Sequence, residues 1–417
     1  MKYLIYTITL YINYVFSPIM ALTGRKHEID SGDNSWALTV GIVFIVSMLF
    51  SLQSLVTKKT FHYGKNLILF PILFFLCAFF IEYGFFPVQV SGSYPVSRWY
   101  LFSILYVWPA VFIGIDIATE DSLNQVYKWV DALAVLITLG MIPMLGSLGI
   151  AERVSMGGDN YNAVAYMGAF AVGILLYGIV SPYQELRLKI FQLKVFKILS
   201  LVFILIDVAA VFISGGRGGA LLLILNAIIC LFAFNRKDII KKSLIAIIAV
   251  VFFLSLFGHF LSSYGLTDFF DAGIERSFSY ISGGSIDMSE TSERDIVYKN
   301  AIENIKNHPV LGQGIFRTMS MNGGYPHNFF LEILVGGGMV YLLFWIVYLW
   351  VFFNKIFKII RKDQIKSYLL IMASLPLLSL LFSGTYTNNA YFWFVISYVL
   401  TSGKVRIGQK VLKRQTI

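Results

Sequence analysis

Residues 329–353 read FFLEILVGGGMVYLLFWIVYLWVFF. The run carries a single charge, Glu332, near its start. The hydrocarbon core of a bilayer is about 30 Å thick, and a helix rising 1.5 Å per residue needs about 20 apolar residues to cross it. This stretch is therefore long and apolar enough to be a membrane span. Working outward from it, eleven further runs satisfy the same reading: 3–23, 36–57, 67–87, 100–118, 129–150, 163–181, 197–214, 220–235, 243–261, 367–384 and 389–402. The runs at 220–235 and 389–402 are the shortest of these. The expectation is an all-α, polytopic integral membrane protein of about twelve transmembrane helices.

Composition says the same. The chain has 417 residues, 57% of them hydrophobic, 16% aromatic and only 13% charged. Soluble domains carry about 25% charged residues, so an ordinary cytosolic or secreted domain is excluded, as is a disordered chain. The two cysteines, Cys77 and Cys230, lie inside apolar runs and read as helix filler rather than as a disulfide or a metal site. No removable leader is apparent, so the first apolar run reads as a membrane helix.

The formal charge of +10 is a topology signal before it is anything else. With a cytoplasmic N-terminus, 23 of the 33 Lys+Arg fall in the segments assigned to the cytoplasm. Five of the other ten lie in one long outer loop, where the rule is weak. No nucleic-acid partner is implied. The division expected is helices one to nine over 1–261, a large extracytoplasmic loop over 262–328, and helices ten to twelve with a basic cytoplasmic tail over 329–417.

A long loop in a compact protein is commonly functional. Within it, Ser292-Glu293-Arg294-Asp295 reads as a capping box. A helix runs from there to about Asn307, with Val297, Ala301 and Ile305 on its buried face, and Pro309 and Gly312 end it.

Charged groups at membrane depth are costly and therefore informative. Asp207 and Glu82 read as hydrogen-bonded structural acids facing the bundle interior. Three features on the outer face are sharper. In Ser214-Gly215-Gly216-Arg217-Gly218-Gly219, glycines such as Gly215 and Gly216 let backbone approach a ligand, and Arg217 opens a helix whose dipole favours an anion. A tight interhelical turn with a snorkelling arginine explains the same residues. Arg294 stands in the first turn of the loop helix, where a cation is unfavourable unless an anion is shared; a surface ion pair with Glu290 or Glu293 is the alternative. His327, in Tyr325-Pro326-His327-Asn328, stands where the loop re-enters the membrane, and histidine is the usual general base near neutral pH. Asn328 or Glu332 is expected to orient its ring. Two arginines and a histidine on one face suit a phosphorylated substrate. There is no P-loop motif and no acidic cluster at metal-ligand spacing, so neither a metal nor another cofactor is expected.

The segment Asn307-His308-Pro309-Val310-Leu311-Gly312-Gln313-Gly314, with Tyr325-Pro326-His327-Asn328 after it, resembles the O-antigen polymerase and O-antigen ligase superfamily. His327-Asn328, then nine residues, then Gly338-Met339-Val340-Tyr341 is similar to a ligase pattern, as is Arg217 with Leu221 four positions on. The resemblance is best over residues 200–345. It implies a GT-C-like glycosyltransferase of the bacterial inner membrane, with its site on the periplasmic face. The implied substrate is a glycan on undecaprenyl diphosphate, transferred with inversion to the non-reducing end of a lipid-linked repeat unit by a polymerase. A ligase transfers it to lipid A core instead. Arg217 and Arg294 are then expected to hold the diphosphate and His327 to act on the acceptor hydroxyl. Arg276, Tyr325, Asn328, Gly215 and Gly216 are expected to contact substrate. A chain-length regulator protein is a possible further partner under this resemblance. A transporter or flippase of lipid-linked oligosaccharide is the reading from another class.

Overall fold

The structure is a computed structural model, and it describes residues 1–25, 34–57, 78, 96–145, 155–181, 183–233, 294–316 and 326–402. These residues form α-helices joined by short turns and 3-10 segments, with no strand among them. In chain order the α-helices are α1 (Lys2–Leu10), α2 (Ile12–Leu22), α3 (Asn34–Thr57), α4 (Val96–Glu120), α5 (Leu123–Leu145), α6 (Tyr161–Val180), α7 (Lys194–Ser214), α8 (Arg217–Ala233), α9 (Arg294–Asn307), α10 (Phe329–Lys362), α11 (Tyr368–Phe382) and α12 (Ala390–Thr401).

Seven of these are long and apolar enough to cross a membrane, or eight spans if the bent pair α1 and α2 is counted as one. The expected count of twelve is thus not recovered among the described residues. The runs at 67–87 and 243–261, and Glu82 with the first, lie outside the described stretches apart from Ala78. Three of the other expected spans differ in form. The run 3–23 is not one rod, because α1 and α2 meet at Tyr11 at an angle of 86°. The runs 220–235 and 389–402 become short apolar helices, α12 having only 12 residues, about 18 Å of rise. In the other direction α10 runs on to Lys362, 34 residues in all, and ends on Arg361 and Lys362, where cations meet the negative end of the dipole.

Helix association in lipid rests on close approach and interhelical hydrogen bonds, because lipid tails are as apolar as leucine. Gly114 of α4 lies so near α12 that a Cβ there would stand 2.1 Å from Ser397 Oγ. Asn226 of α8 donates to the Ala169 carbonyl of α6 at 3.0 Å and accepts from Ser374 Oγ of α11 at 2.7 Å. One amide thereby fastens three helices, each bond contributing about 0.6–2 kcal/mol. Asp207, buried in α7, accepts from Thr138 Oγ1 of α5 at 2.7 Å, which is the structural acid expected.

The ends of the helices gather mainly at two faces. At one face Lys2 pairs with Asp116 at 2.5 Å and Glu120 at 2.9 Å, and Lys366 pairs with Asp121. Arg187 lies at this end too, but it is not a solvated topology charge. It is buried, and its Nε and Nη2 both donate to Asp131 at 2.9 Å. Removing one partner of such a pair costs about 3–5 kcal/mol.

The loop helix α9 spans Arg294–Asn307 as expected, with Val297 and Ala301 buried and Ile305 partly so; the expected cap, Ser292, lies outside the described residues. The chain just past α9 is matched to a break in α10. Gly338 has φ 63° and ψ −160°, which interrupts the helix. The groups the break releases are taken up by the 309–314 turn. Gln313 and Gly314 donate to the Val335 and Gly336 carbonyls at 2.8 Å, and Met339 donates to the Pro309 carbonyl at 2.9 Å. Backbone groups at membrane depth must be satisfied within the protein, and this turn does so.

Candidate functional site

Toward the face opposite Lys2, five of the helices that begin there gather near one another: α6 at Tyr161, α8 at Arg217, α9 at Arg294, α10 at Phe329 and α12 at Ala390. Each N-terminus carries about half a positive charge from unpaired backbone N–H groups. Their convergence favours an anion at this end of the bundle. Three of these ends are capped by asparagine. Asn160 accepts from Ala163 N at 2.9 Å, Asn328 from Phe330 N at 3.1 Å and Leu331 N at 3.2 Å, and Asn389 from Phe392 N at 3.0 Å.

A cavity of about 470 Å³ opens among these ends. Its lining comes from the turn before α6 and the first residues of that helix (Asp159 to Asn162), from Tyr166, from Asn13 and Tyr14 just past the α1–α2 break, and from Val297 of α9. His327, Ser383, Gly384, Asn389 and Tyr391 contribute further polar and aromatic groups.

His327 is held in the left-handed region, φ 50°, a conformation uncommon outside glycine. Its Nδ1 stands 3.1 Å from the carbonyl oxygen of Ser383, in the α11–α12 turn. A carbonyl only accepts, so Nδ1 carries the proton and the lone pair of a neutral ring is on Nε2. That is the tautomer a general base needs. The ring is therefore oriented by a backbone carbonyl, not by Asn328 or Glu332 as the sequence suggested. Asn328 caps α10, and its Nδ2 donates to the Leu381 carbonyl at 3.4 Å, which gives it a structural role at the edge of the site. Glu332 is buried and accepts from Thr385 Oγ1, two residues beyond Ser383, which pins the same turn from the other side. Ser383 Oγ and the Tyr166 hydroxyl lie 3.3 Å apart, tying that turn to α6 as well.

The glycines around Arg217 are used for packing. Gly215 ends α7 in the left-handed conformation, φ 67°. A Cβ at Gly216 or Gly219 would stand 2.4 Å from Ala165 Cβ, and one at Gly218 would strike the Tyr166 hydroxyl. Gly216, Gly218 and Gly219 thus form a tight helix–turn–helix packed on α6, the alternative the sequence also offered for this segment. The effect on the site is indirect but plain: it brings the start of α8, and half-buried Arg217, against the Tyr161–Asn162 wall of the cavity. Arg294 opens α9, whose Val297, one turn on, lines the cavity. Arg276 and Tyr325 lie outside the described residues.

The structure thus brings His327, Arg217 and the start of α9 to one end of the bundle. Sequence reasoning missed Asp159, Tyr166, Ser383 and Tyr391. The signal available was the pair of polar interruptions Gly158-Asp-Asn-Tyr-Asn162 and Ser383-Gly-Thr-Tyr-Thr-Asn-Asn389 between apolar runs.

Residues 200–346 match a family model described as O-antigen ligase. That match bears out the superfamily resemblance. It takes in Arg217, Arg294 and His327, and it supports an O-antigen ligase or polymerase-like function in general. No curated protein and no solved structure matches the chain. The apolar helices and this match together indicate a multipass membrane protein of polysaccharide biosynthesis.

Proposed function

We propose that the protein is a surface-polysaccharide polymerase of GT-C type. It transfers a glycan chain from undecaprenyl diphosphate to the non-reducing end of a lipid-linked repeat unit, at the outer face of the bacterial inner membrane. Arg217 and Arg294 grip the diphosphate, aided by the helix N-termini that gather beside them. These groups stabilise the negative charge that develops as the bond from the anomeric carbon to the phosphate oxygen breaks. The electron pair leaves with the lipid diphosphate. The acceptor hydroxyl forms the new bond from the opposite side of the ring, so the linkage inverts, and its proton passes to His327 Nε2. The observation that carries this reading is the 3.1 Å contact of His327 Nδ1 with the Ser383 carbonyl, which supports a basic Nε2 beside a polar cavity.

The test is a reconstituted reaction. Purified protein given only the lipid-linked repeat unit is expected to produce a ladder of longer lipid-linked glycans. The description of the matching family favours a second reading, the ligase, under which product forms only when lipid A core is added. Movement of labelled lipid-linked repeat across vesicles without elongation would exclude both in favour of a flippase.

A further inference from the structure

The cavity has two chemically different sides. Arg217 and the start of α9 stand at its margin, whereas one wall is built from Asn13 and Tyr14 of α2, Asp159 in the turn before α6, and Tyr391 of α12. We infer that this wall is the subsite for a neutral acceptor sugar, an assignment that rests on the transferase reading above.

Donor and acceptor chemistry separates the two ligands. Asp159 is a carboxylate in the lining, an acceptor with no hydrogen to donate, and so has no hydrogen bond to offer the acceptor oxygens of a diphosphate. A pyranose would instead offer hydroxyl donors to that carboxylate, and charge-assisted hydrogen bonds are about twice as strong as neutral ones. Amide and phenol groups supply the remaining partners, and tyrosine faces suit the apolar face of a sugar ring. A volume of about 470 Å³ is within the range that encloses a compact ligand.

The wall is also held in place before any ligand arrives. Tyr391 stacks on Tyr11 at 5.1 Å and leans on Tyr14 at 5.4 Å, and Tyr11 in turn stacks on Phe170 of α6 at 5.4 Å. Asp159 accepts from Ser17 Oγ of α2. Preorganised side chains lose little entropy on binding.

An independent observation comes from the backbone. The 86° break between α1 and α2 is a costly feature in a membrane protein, tolerated where irregular backbone lines a cavity. Asn13 and Tyr14 come directly after this break, and both line the cavity. The break therefore has a use: it turns two polar side chains into the site.

The experiment uses the full-length protein in nanodiscs and two separate probes. One is the repeat-unit oligosaccharide freed from its lipid by mild acid, taken from a host whose repeat is uncharged. The other is inorganic pyrophosphate. Binding of each is measured by calorimetry for wild type, Asp159→Asn and the near-isosteric Tyr391→Phe. The expected result is oligosaccharide affinity reduced about tenfold in each variant, with pyrophosphate affinity unchanged. A repeat terminating in a uronic acid is expected to bind wild type more weakly than the neutral one. Unchanged oligosaccharide binding in a folded Tyr391→Phe protein, or no oligosaccharide binding by wild type, overturns the subsite. If the wall binds sugar as stated but no lipid-linked repeat is elongated or transferred, the transferase reading fails while the subsite stands.

Discussion

His327 combines a strained backbone with a fixed ring. A non-glycine residue at φ 50° costs about 1–3 kcal/mol, and such strain persists only where the surroundings over-determine it. Here they do: Pro326 is buried before it, Asn328 caps α10 after it, and the Ser383 carbonyl holds the imidazole. His327→Ala is expected to lower turnover by about 10²–10⁴-fold with little change in donor KM. Arg217→Lys, which replaces a planar fork with a point charge, is expected to raise donor KM and lower turnover together. Steady-state kinetics on the lipid-linked donor distinguishes them, and wild-type constants in the His327 variant would remove it as the base. The histidine was legible in the sequence because a polar Tyr-Pro-His-Asn step stands before an apolar run. Its orienting partner was not, since a main-chain carbonyl 56 residues away leaves no mark in side-chain identity. For the same reason the role of Asn328 was hidden. Its work as a cap depends on where the helix starts, and a residue at a helix end and a residue at a ligand look alike in sequence.

Among the elements, α10 shows most clearly what periodicity hides. By hydropathy, residues 329–353 are one uninterrupted span, and the Gly336-Gly337-Gly338 run costs that reading nothing. In the structure the run is a break, and the turn after α9 is docked into it. A Cβ at Gly338 would stand 2.4 Å from the Val310 carbonyl carbon, and one at Gly312 would stand 2.5 Å from Gly337 N. The spacing of His308-Pro309-Val310-Leu311-Gly312-Gln313-Gly314 relative to the glycine run, part of the family resemblance, thus has a physical cause: two backbones in contact, with both sides needing glycine. Gly338→Ala combines left-handed strain with a backbone clash. It is expected to destabilise the protein by about 3 kcal/mol or more, and to free the segment around residues 308–314. Thermal unfolding in detergent and hydrogen exchange across 308–314 measure both. An unchanged melting temperature together with unchanged protection would show that the docking contributes little. The helix α9 and its end were legible, because its amphipathic spacing and its Pro309 and Gly312 stops are local signals.

At the scale of the whole molecule, the two faces can be told apart by chemistry alone. One gathers Lys2, Lys366 and the basic end of α10; the other gathers the cavity, the helix N-termini around it and Arg217. The Lys+Arg count assigns the first to the cytoplasm, even though Arg187, one of the residues in that count, is buried against Asp131. The bias survives that subtraction, since the remaining cytoplasmic basic residues still far outnumber those of the short outer loops. On that proposed orientation, Asn162, on the cavity wall, faces the outside, and Asp363, at the end of α10, faces the inside. Single cysteines at these positions test this, in a chain carrying Cys77→Ala and Cys230→Ala. Asn162→Cys is expected to react with a membrane-impermeant maleimide in intact spheroplasts, and Asp363→Cys only after lysis. The opposite pattern would put the cavity on the cytoplasmic side. A site there has no access to a glycan already flipped outward on its carrier, so this labelling result decides whether the polymerase and ligase readings keep a substrate.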